Sequence, residues 1–246
     1  VVLATGAIER PLVFEGNDVP GVMLCSAVST YIRRYAVVPG RRGAVFTNND
    51  SGYQTAVDMA WAGMEVSGVV DLRPSPSGQA VETVEALGIP VYAGHVVCGT
   101  RSNAKGLKRI ELALLTDNGS EILSHKGLLD CQVLAISGGW SPTVHLHSQS
   151  GAKARFDEDL ACFVPGNSVQ AELSAGSSAG VFDLAGCLSG GVKAGVAAAA
   201  ASGWAGATPD APMAKGGQSG SIQACWEVPS TELGPTGTKK FLDFQN

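Results

Sequence analysis

The run Val1-Val2-Leu3-Ala4-Thr5-Gly6 is an apolar stretch that ends in a turn of small residues. It predicts a buried parallel strand, because a strand that is covered on both faces carries few polar side chains. Turns of small residues return at Ser137-Gly138-Gly139 and at Ala175-Gly176. Parallel sheets bind ligands where their strands end, and glycine lets the backbone approach a nucleotide, so all three turns are candidate ligand positions.

The segment between the first two turns predicts a self-contained α/β module. Its hydrophobic periodicity predicts strands at 43–47, 66–70, 91–97 and 130–136, and helices at 23–35, 51–62 and 75–87. The turn Asp117-Asn118-Gly119 lies between two apolar runs, which predicts an antiparallel hairpin. The third turn leads into an Ala-rich helix at 180–201.

This order of elements predicts an α/β, Rossmann-like fold with two dinucleotide-binding domains, one inserted in the other. It would combine a parallel sheet and its helices with an antiparallel hairpin or meander. The predicted domains are a partial dinucleotide domain at 1–40, an inserted Rossmann-like domain at 41–140, a return to the partial domain at 141–203, and a linker at 204–246. The opening strand is expected to have neighbours at Cys162 and Leu173.

The glycine-rich loop that opens such a fold is missing from the first domain, and it would precede Val1. The chain is therefore expected to be an internal piece of a longer subunit. In the inserted domain the corresponding loop is Thr47-Asn48-Asn49-Asp50-Ser51-Gly52, where Asp50 places negative charge at the pyrophosphate position and Asp50 or Ser51 is a candidate N-cap. Asp71 stands where an acid would bind ribose. Both a retained and a lost dinucleotide remain open for this domain.

Composition excludes several other classes of protein. Hydrophobic residues make up 45% and charged residues 16% of the chain, and the net charge of −5 includes no basic stripe, so neither disorder nor nucleic-acid binding is expected. The six cysteines contain no C-x-x-C pair, so no metal is expected, and a reduced, cytoplasmic setting fits. The helix at 180–201 is interpreted as packed inside the protein rather than in a membrane. His95, His145 and His147 are assigned surface or cap hydrogen bonds.

Several motifs resemble the alpha subunits of heterotetrameric sarcosine oxidase, within the glutathione-reductase-like superfamily of flavoproteins with two dinucleotide domains. These motifs are Leu3-Ala4-Thr5-Gly6-Ala7-Ile8-Glu9-Arg10-Pro11, Asn17-Asp18-Val19-Pro20-Gly21-Val22-Met23, Val45-Phe46-Thr47-Asn48-Asn49-Asp50-Ser51, Ser137-Gly138-Gly139-Trp140-Ser141-Pro142 and Lys239-Lys240-Phe241-Leu242-Asp243-Phe244-Gln245-Asn246.

The resemblance implies a subunit that holds NAD, with FAD on a partner beta subunit, FMN at the alpha–beta interface and further small subunits. The complex would demethylate sarcosine oxidatively, passing the one-carbon unit to tetrahydrofolate and electrons to oxygen. Amine oxidation would occur on the beta subunit, so this chain alone would be inactive. The candidate cofactor-binding residues are Thr5, Gly6, Ala175, Gly176, Val181 and Asp183, although Asp183 departs from the small or hydroxyl residue expected there.

Three alternatives stay open. The chain could be a scaffold module whose nucleotide loops are vestigial, a hypothesis that the loop at 47–52 favours. It could be the alpha subunit of a related opine or proline dehydrogenase, but these usually carry a cysteine-rich iron–sulfur segment that Cys225 alone does not supply. A free-standing pyridine-nucleotide reductase is disfavoured by the missing loop and by the lack of a redox C-x-x-C pair.

Overall fold

The computed structural model describes residues 1–116, 121–204, 206–214, 220–229 and 239–242, and it forms two compact units. The first unit comprises Val1–Ile8 and Trp140–Ser221, and the second comprises Glu9–Gly139 and Ile222–Asn246. Residues 9–40 thus lie with the segment that the sequence assigned to the inserted domain, because the strand at Val22–Leu24 pairs with the strand at Val133–Ser137. The Asn-Gly hairpin turn at 117–119 lies outside the described residues.

In the described ranges, the second unit contains a five-stranded parallel sheet. Its strands, in spatial order, are β3 (Val22–Leu24), β10 (Val133–Ser137), β4 (Arg42–Thr47), β5 (Glu65–Asp71) and β6 (Val91–Ala93). Three helices connect or flank these strands: α1 (Cys25–Tyr35), α2 (Ser51–Trp61) and α3 (Gln79–Ala86). The βαβ prediction is confirmed within a few residues. The stretch predicted as one strand at 91–97 is divided at Gly94, whose φ of +66° turns the chain.

A three-stranded antiparallel meander completes the described part of the second unit. Its strands are β7 (His95–Asn103), β8 (Gly106–Leu115) and β9 (Ile122–Asp130). The two faces of the parallel sheet bury different cores. Ala44 and Phe46 join the cluster shared with β7 and β8, and Phe46 meets Phe14 edge-on at 5.7 Å between ring centroids. Val45 points the other way, into the cluster with α1 and α2, as the two-residue period of a strand requires.

The first unit holds three strand pairs in the part of the chain that the structure describes. β1 (Val2–Leu3) runs parallel to β14 (Leu173–Ser174), β2 (Ala7–Glu9) pairs with β11 (Trp140–Pro142), and β12 (Ala154–Asp157) pairs antiparallel with β13 (Cys162–Pro165). The opening strand is thus shorter than the predicted 1–5, and Val1 and Val2 are exposed, not buried as predicted. Its neighbour at Leu173 is confirmed, but Cys162 pairs with Asp157 and not with β1.

Two helices complete the described elements of the first unit: α4 (His145–Gln149) and α5 (Leu184–Ala201), the second preceded by a 3₁₀ turn at Gly176–Ala179. The prediction that the Ala-rich helix is packed inside the protein is wrong for the described residues, where Ala194 is the one buried residue of α5. By length and composition alone, this helix could cross a membrane. Among the described elements, it packs against β1, β14 and the 3₁₀ turn.

Candidate functional site

Four of the candidate residues lie together at the carboxyl edge of the β1–β14 pair. The strands run parallel, and the Ala175 amide donates to the Leu3 carbonyl oxygen at 2.9 Å, so Thr5-Gly6 and Ala175-Gly176 emerge side by side. Gly6 has φ +80° and Gly176 has φ +70°, values that L side chains rarely adopt. Among the described residues, a Cβ atom at Gly6 would meet nothing within 4 Å, and one at Gly176 would meet only the Cys187 Sγ at 3.8 Å. Open space therefore faces both glycines.

Local hydrogen bonds fix the shape of this edge. The Thr5 hydroxyl donates to the Thr143 carbonyl oxygen at 2.8 Å, and the Thr143 amide donates back to the Gly6 carbonyl oxygen at 3.0 Å. The Val181 amide donates to the Gly176 carbonyl oxygen at 3.3 Å, which brings Val181 to the same turn. Bare glycine backbone beside open space suits the close approach of a dinucleotide, so Thr5, Gly6, Ala175 and Gly176 fit such a ligand.

Asp183, predicted to bind the cofactor, instead caps a helix. It is the N-cap residue of α5, and its carboxylate accepts a hydrogen bond from the Gly186 amide at 2.8 Å. The carboxylate thus occupies the positive end of the helix, where an anionic ligand would otherwise bind. Asp183 does not fit as a cofactor-binding residue. Its negative charge opposes an anionic ligand, and it occupies the Gly186 amide that such a ligand would need as a donor.

Replacing Asp183 with alanine is expected to destabilise α5 by about 1 kcal/mol, as loss of an N-cap usually does. Amide hydrogen exchange at Gly186 measures this, and it should accelerate about fivefold. Asp159→Ala, an exposed position outside α5, serves as the control. Unchanged exchange at Gly186 would contradict the capping role.

The second unit has its own candidate crevice, at the carboxyl ends of β4 and β10. The loop that leaves β4 hydrogen-bonds to itself: Asn49 Oδ1 accepts from the Ser51 amide at 2.9 Å, and the Asn49 amide donates to the Thr47 hydroxyl at 3.2 Å. The Asn48 amide donates to the Ser137 carbonyl oxygen at 3.3 Å. Asn49, and not Asp50 or Ser51, therefore supplies the side-chain oxygen at the start of α2, and Asp50 makes no side-chain capping bond.

Asp50 and Asp71 are joined by a residue that sequence reasoning missed. Arg73, 5% exposed, donates to Asp50 Oδ1 at 2.6 Å and to Asp71 Oδ2 at 2.8 Å. The Tyr53 hydroxyl donates to the same Asp71 oxygen at 2.7 Å, and burial with the nearby Asp71 charge raises the pKa of that phenol. The predicted ribose-binding acid is thus fully buried and already bonded. The sequence alone does not indicate that Arg73 pairs with Asp50, because this contact depends on β4 and β5 lying side by side in the sheet.

A second segment crosses this crevice. We call Ser221–Pro229 the strap. Its Gln223 amide donates to the Asn48 carbonyl oxygen at 2.9 Å, and the Asn48 carboxamide donates back to the Gln223 carbonyl oxygen at 2.9 Å. Trp226 Nε1 donates to the Gly138 carbonyl oxygen at 2.7 Å, and the Arg10 guanidinium lies 4.5 Å from the Trp226 ring centroid. The strap is thus bonded to both strand ends, in a region predicted to be a linker.

Glu9 is a buried acid at the start of α1, also missed by sequence reasoning. Its Oε2 accepts from the Ser26 amide at 2.7 Å, while Oε1 has no hydrogen-bond partner among the described residues. Burial raises the pKa of the Glu9 carboxyl, and the bond from Ser26 partly opposes this. Burial therefore disfavours the charged form of this carboxyl in the folded chain relative to the unfolded chain.

Since the folded-state pKa of Glu9 is raised, the stability it contributes is present at low pH and is lost as pH rises through that pKa. We expect Glu9→Gln to gain stability over the native chain between about pH 4 and about pH 8, by about 1.4 kcal/mol for each unit by which the pKa is raised. Urea unfolding at the two pH values measures this. Glu85→Gln, at an exposed position, should show no such trend. A pH-independent difference for Glu9→Gln would contradict the assignment.

His147 is buried in the first unit, which corrects its predicted surface position. It is 1% exposed, its Nδ1 lies 2.7 Å from Glu172 Oε1, and its Nε2 accepts from the Gly166 amide at 3.2 Å. Because an amide can only donate, Nε2 carries the lone pair, and Nδ1–H then donates to the carboxylate. His95 and His145 behave as predicted: His95 Nδ1 lies 2.7 Å from the Ala93 carbonyl oxygen, and His145 is exposed.

A parallel-sheet module placed between two segments of another α/β unit defines the fold of oxidoreductases with two dinucleotide domains. Thioredoxin reductase of T. acidophilum has this fold, with a TM-score of 0.63 and 21% identity over 82% of this chain and 65% of that one. L-proline dehydrogenase of P. horikoshii also has it, with a TM-score of 0.58 and 21% identity over 86% of this chain and 35% of that one.

Over its whole length, the chain is related to the alpha subunits of sarcosine oxidase. It is 40% identical to that of Corynebacterium sp. (strain P-1) over 248 aligned residues, and 35% identical to that of Rhizobium meliloti (strain 1021) over 255. All of this chain is covered in both cases, but only 25% and 23% of those proteins. The chain thus spans about a quarter of the length of these relatives. No protein-family model matches it.

Proposed function

We propose that the chain is the cofactor-binding part of the alpha subunit of a sarcosine oxidase-type complex, which demethylates sarcosine oxidatively. The observation that carries this proposal is its 35–40% identity to sarcosine oxidase alpha subunits along 94–100% of the chain. The open glycine edge formed by Thr5, Gly6, Ala175 and Gly176 supports NAD as the ligand of the first unit, because it offers backbone that a dinucleotide can approach.

The rest of the reaction is assigned to partners. The relatives are named as alpha subunits, which supports a complex with other subunits. In this proposal these are a beta subunit and smaller subunits. Amine oxidation takes place on the beta subunit, with the one-carbon unit passed to tetrahydrofolate and the electrons to oxygen. FAD on the beta subunit and FMN near the alpha–beta contact supply, when bound, the electron acceptors for this chemistry. The residues of this chain bind and orient the dinucleotide and break no bond themselves.

The proposal is tested by measuring NAD bound to the complete subunit, purified with its partners, after replacing Gly6 with valine. A β-branched side chain at φ +80° is strained and fills the open edge, so we expect the bound NAD to fall at least about tenfold. Gly63→Val is a matched control, since Gly63 has φ +81° and equally open space, but lies at the end of α2. Undiminished NAD in the Gly6 variant would contradict the proposed site.

A scaffold role is the second candidate, and the bonded crevice of the second unit favours it. Calorimetry of the complete subunit against NAD, NADP, FAD and FMN separates the two candidates. Binding of none of the four supports the scaffold, and tight binding of NAD supports the cofactor-binding function.

A further inference from the structure

The second unit has the sheet and the helix of a dinucleotide-binding domain, but its residues do not fit that ligand. We infer that the strap, Ser221–Pro229, is the permanent intramolecular ligand of this crevice, so that the second unit binds no pyridine or flavin dinucleotide. This inference goes beyond the proposed function, which concerns the first unit.

The first argument is that three backbone N–H groups of the loop, those of Asn48, Asn49 and Ser51, already donate hydrogen bonds within the protein. A Rossmann loop binds pyrophosphate through free backbone N–H groups at the start of the helix. Here the amides of Asn48, Asn49 and Ser51 donate to Ser137 O, Thr47 Oγ1 and Asn49 Oδ1 at 3.3, 3.2 and 2.9 Å. A phosphate would have to break these bonds.

The second argument is electrostatic. Asp50 places a carboxylate at the N-terminus of α2, where a pyrophosphate would bring two more negative charges. Asp50 pairs with Arg73, but the single positive charge of Arg73 is shared with Asp71. Arg73 is therefore committed to the protein's own acids and does not serve a nucleotide phosphate. Asp71, fully buried beneath Tyr53 and Arg73, is closed to a ribose hydroxyl.

The third argument is that the strap fills the place where the ligand would cross. Asn48 carries three bonds to it, two of them from its carboxamide to the carbonyl oxygens of Gln223 and Cys225 at 2.9 and 3.2 Å. A Cβ at Gly138 would lie 3.0 Å from Trp226 Cδ1, and one at Gly139 would lie 2.5 Å from Ile222 Cδ1. The glycines that give a nucleotide close access elsewhere admit Trp226 and Ile222 here.

Beyond the crevice, the strap is held by main-chain bonds. The Val13 amide donates to the Trp226 carbonyl oxygen at 2.7 Å, and the Val228 amide donates to the Val13 carbonyl oxygen at 2.8 Å. Val228 is 2% exposed and belongs to the same core as Phe46. Displacing the strap would therefore expose part of that core to water. This cost makes the strap a firmly held segment and not a lid that opens readily.

The inference is tested by hydrogen exchange in the complete subunit purified with its partners. The Gln223 and Val228 amides should exchange slowly and keep their rates when NAD, NADH, NADP or FAD is added in millimolar excess. A ligand-induced change of about tenfold or more at either amide, in either direction, would overturn the inference.

Trp226→Ala should speed exchange at Val228 about ten- to hundredfold, because it removes the bond to Gly138 and the contact with Arg10. Trp204→Ala, at a 79% exposed position outside the strap, should leave it unchanged. If Trp226→Ala has no effect either, the strap is not anchored as inferred.

The number of dinucleotides bound per alpha chain separates failure of the strap inference from failure of the proposed function. This count uses the NAD site of the first unit, so it rests on the proposed function. One NAD per alpha chain, lost in Gly6→Val, supports both. Two per chain, with one retained in Gly6→Val, would overturn the strap inference and leave the proposed function standing. If no dinucleotide binds and strap exchange stays slow, the proposed NAD site fails while the strap inference holds.

Discussion

Replacing Arg73 with methionine is expected to lower the free energy of unfolding of the chain by about 3–5 kcal/mol. The guanidinium is the shared partner of Asp50 and Asp71, and the side chain of Asp71 is 0% exposed. Without it, a carboxylate stays buried with the Tyr53 hydroxyl and the Arg73 main-chain amide as its remaining described donors. Urea unfolding followed by circular dichroism measures the loss.

Two further variants sharpen this test. Arg101→Met removes an ion pair with Glu111 in which the arginine is 62% exposed, so it should cost no more than about 1 kcal/mol. Asp71→Asn in the Arg73→Met background removes the stranded charge and should recover part of the stability. An Arg73→Met chain as stable as the Arg101→Met chain would show that the buried pairs contribute nothing.

Replacing His147 with leucine is expected to destabilise the first unit by a similar amount, about 3–5 kcal/mol. The change removes the described donor to Glu172 Oε1 and the acceptor of the Gly166 amide. Glu172 Oε2 already has no hydrogen-bond partner among the described residues, so both of its oxygens would be left buried without one. Hydrogen exchange at Gly166, together with urea unfolding, measures the effect.

His145→Leu is the matched control for that variant, because His145 lies in the same helix α4 and is exposed. It should change stability by less than about 0.5 kcal/mol. A second variant, Glu172→Gln with His147 retained, keeps the shape of the pair and removes its charge. If it were as unstable as His147→Leu, the loss would come from packing and not from the stranded carboxylate.

Local patterns in the sequence predicted most of the second unit's sheet. β4 and α2 were predictable because Gly43–Phe46 is apolar and Ser51–Ala62 has helical periodicity. The glycine turns at Gly6 and Gly176 were predictable from composition, and both have positive φ. These features depend on residues that are adjacent in the chain, so a single sequence carries them.

The long-range partners were not predictable in the same way. Arg73, Glu9 and His147 are charged or titratable residues, and such residues are usually at the surface. They are buried because a distant residue pairs with each of them: Asp50 with Arg73, Ser26 with Glu9, Glu172 with His147. The strap was interpreted as a linker because the sequence around it is rich in Pro, Gly and Ser. That local composition does not reveal its hydrogen bonds to Asn48, which is distant in the chain.

The strap also sets a time course for folding during synthesis. It joins the second unit only after the whole intervening segment from Trp140 has been made. At the usual pace of translation, about 90 residues take roughly 5–20 s, so the crevice stays uncovered for that long on the ribosome. During that interval Val13 has no strand-like partner and the core around Phe46 lacks Val228. The nascent chain therefore passes through a stage in which the second unit is nearly complete but the part of its core that Val228 later covers is exposed to water.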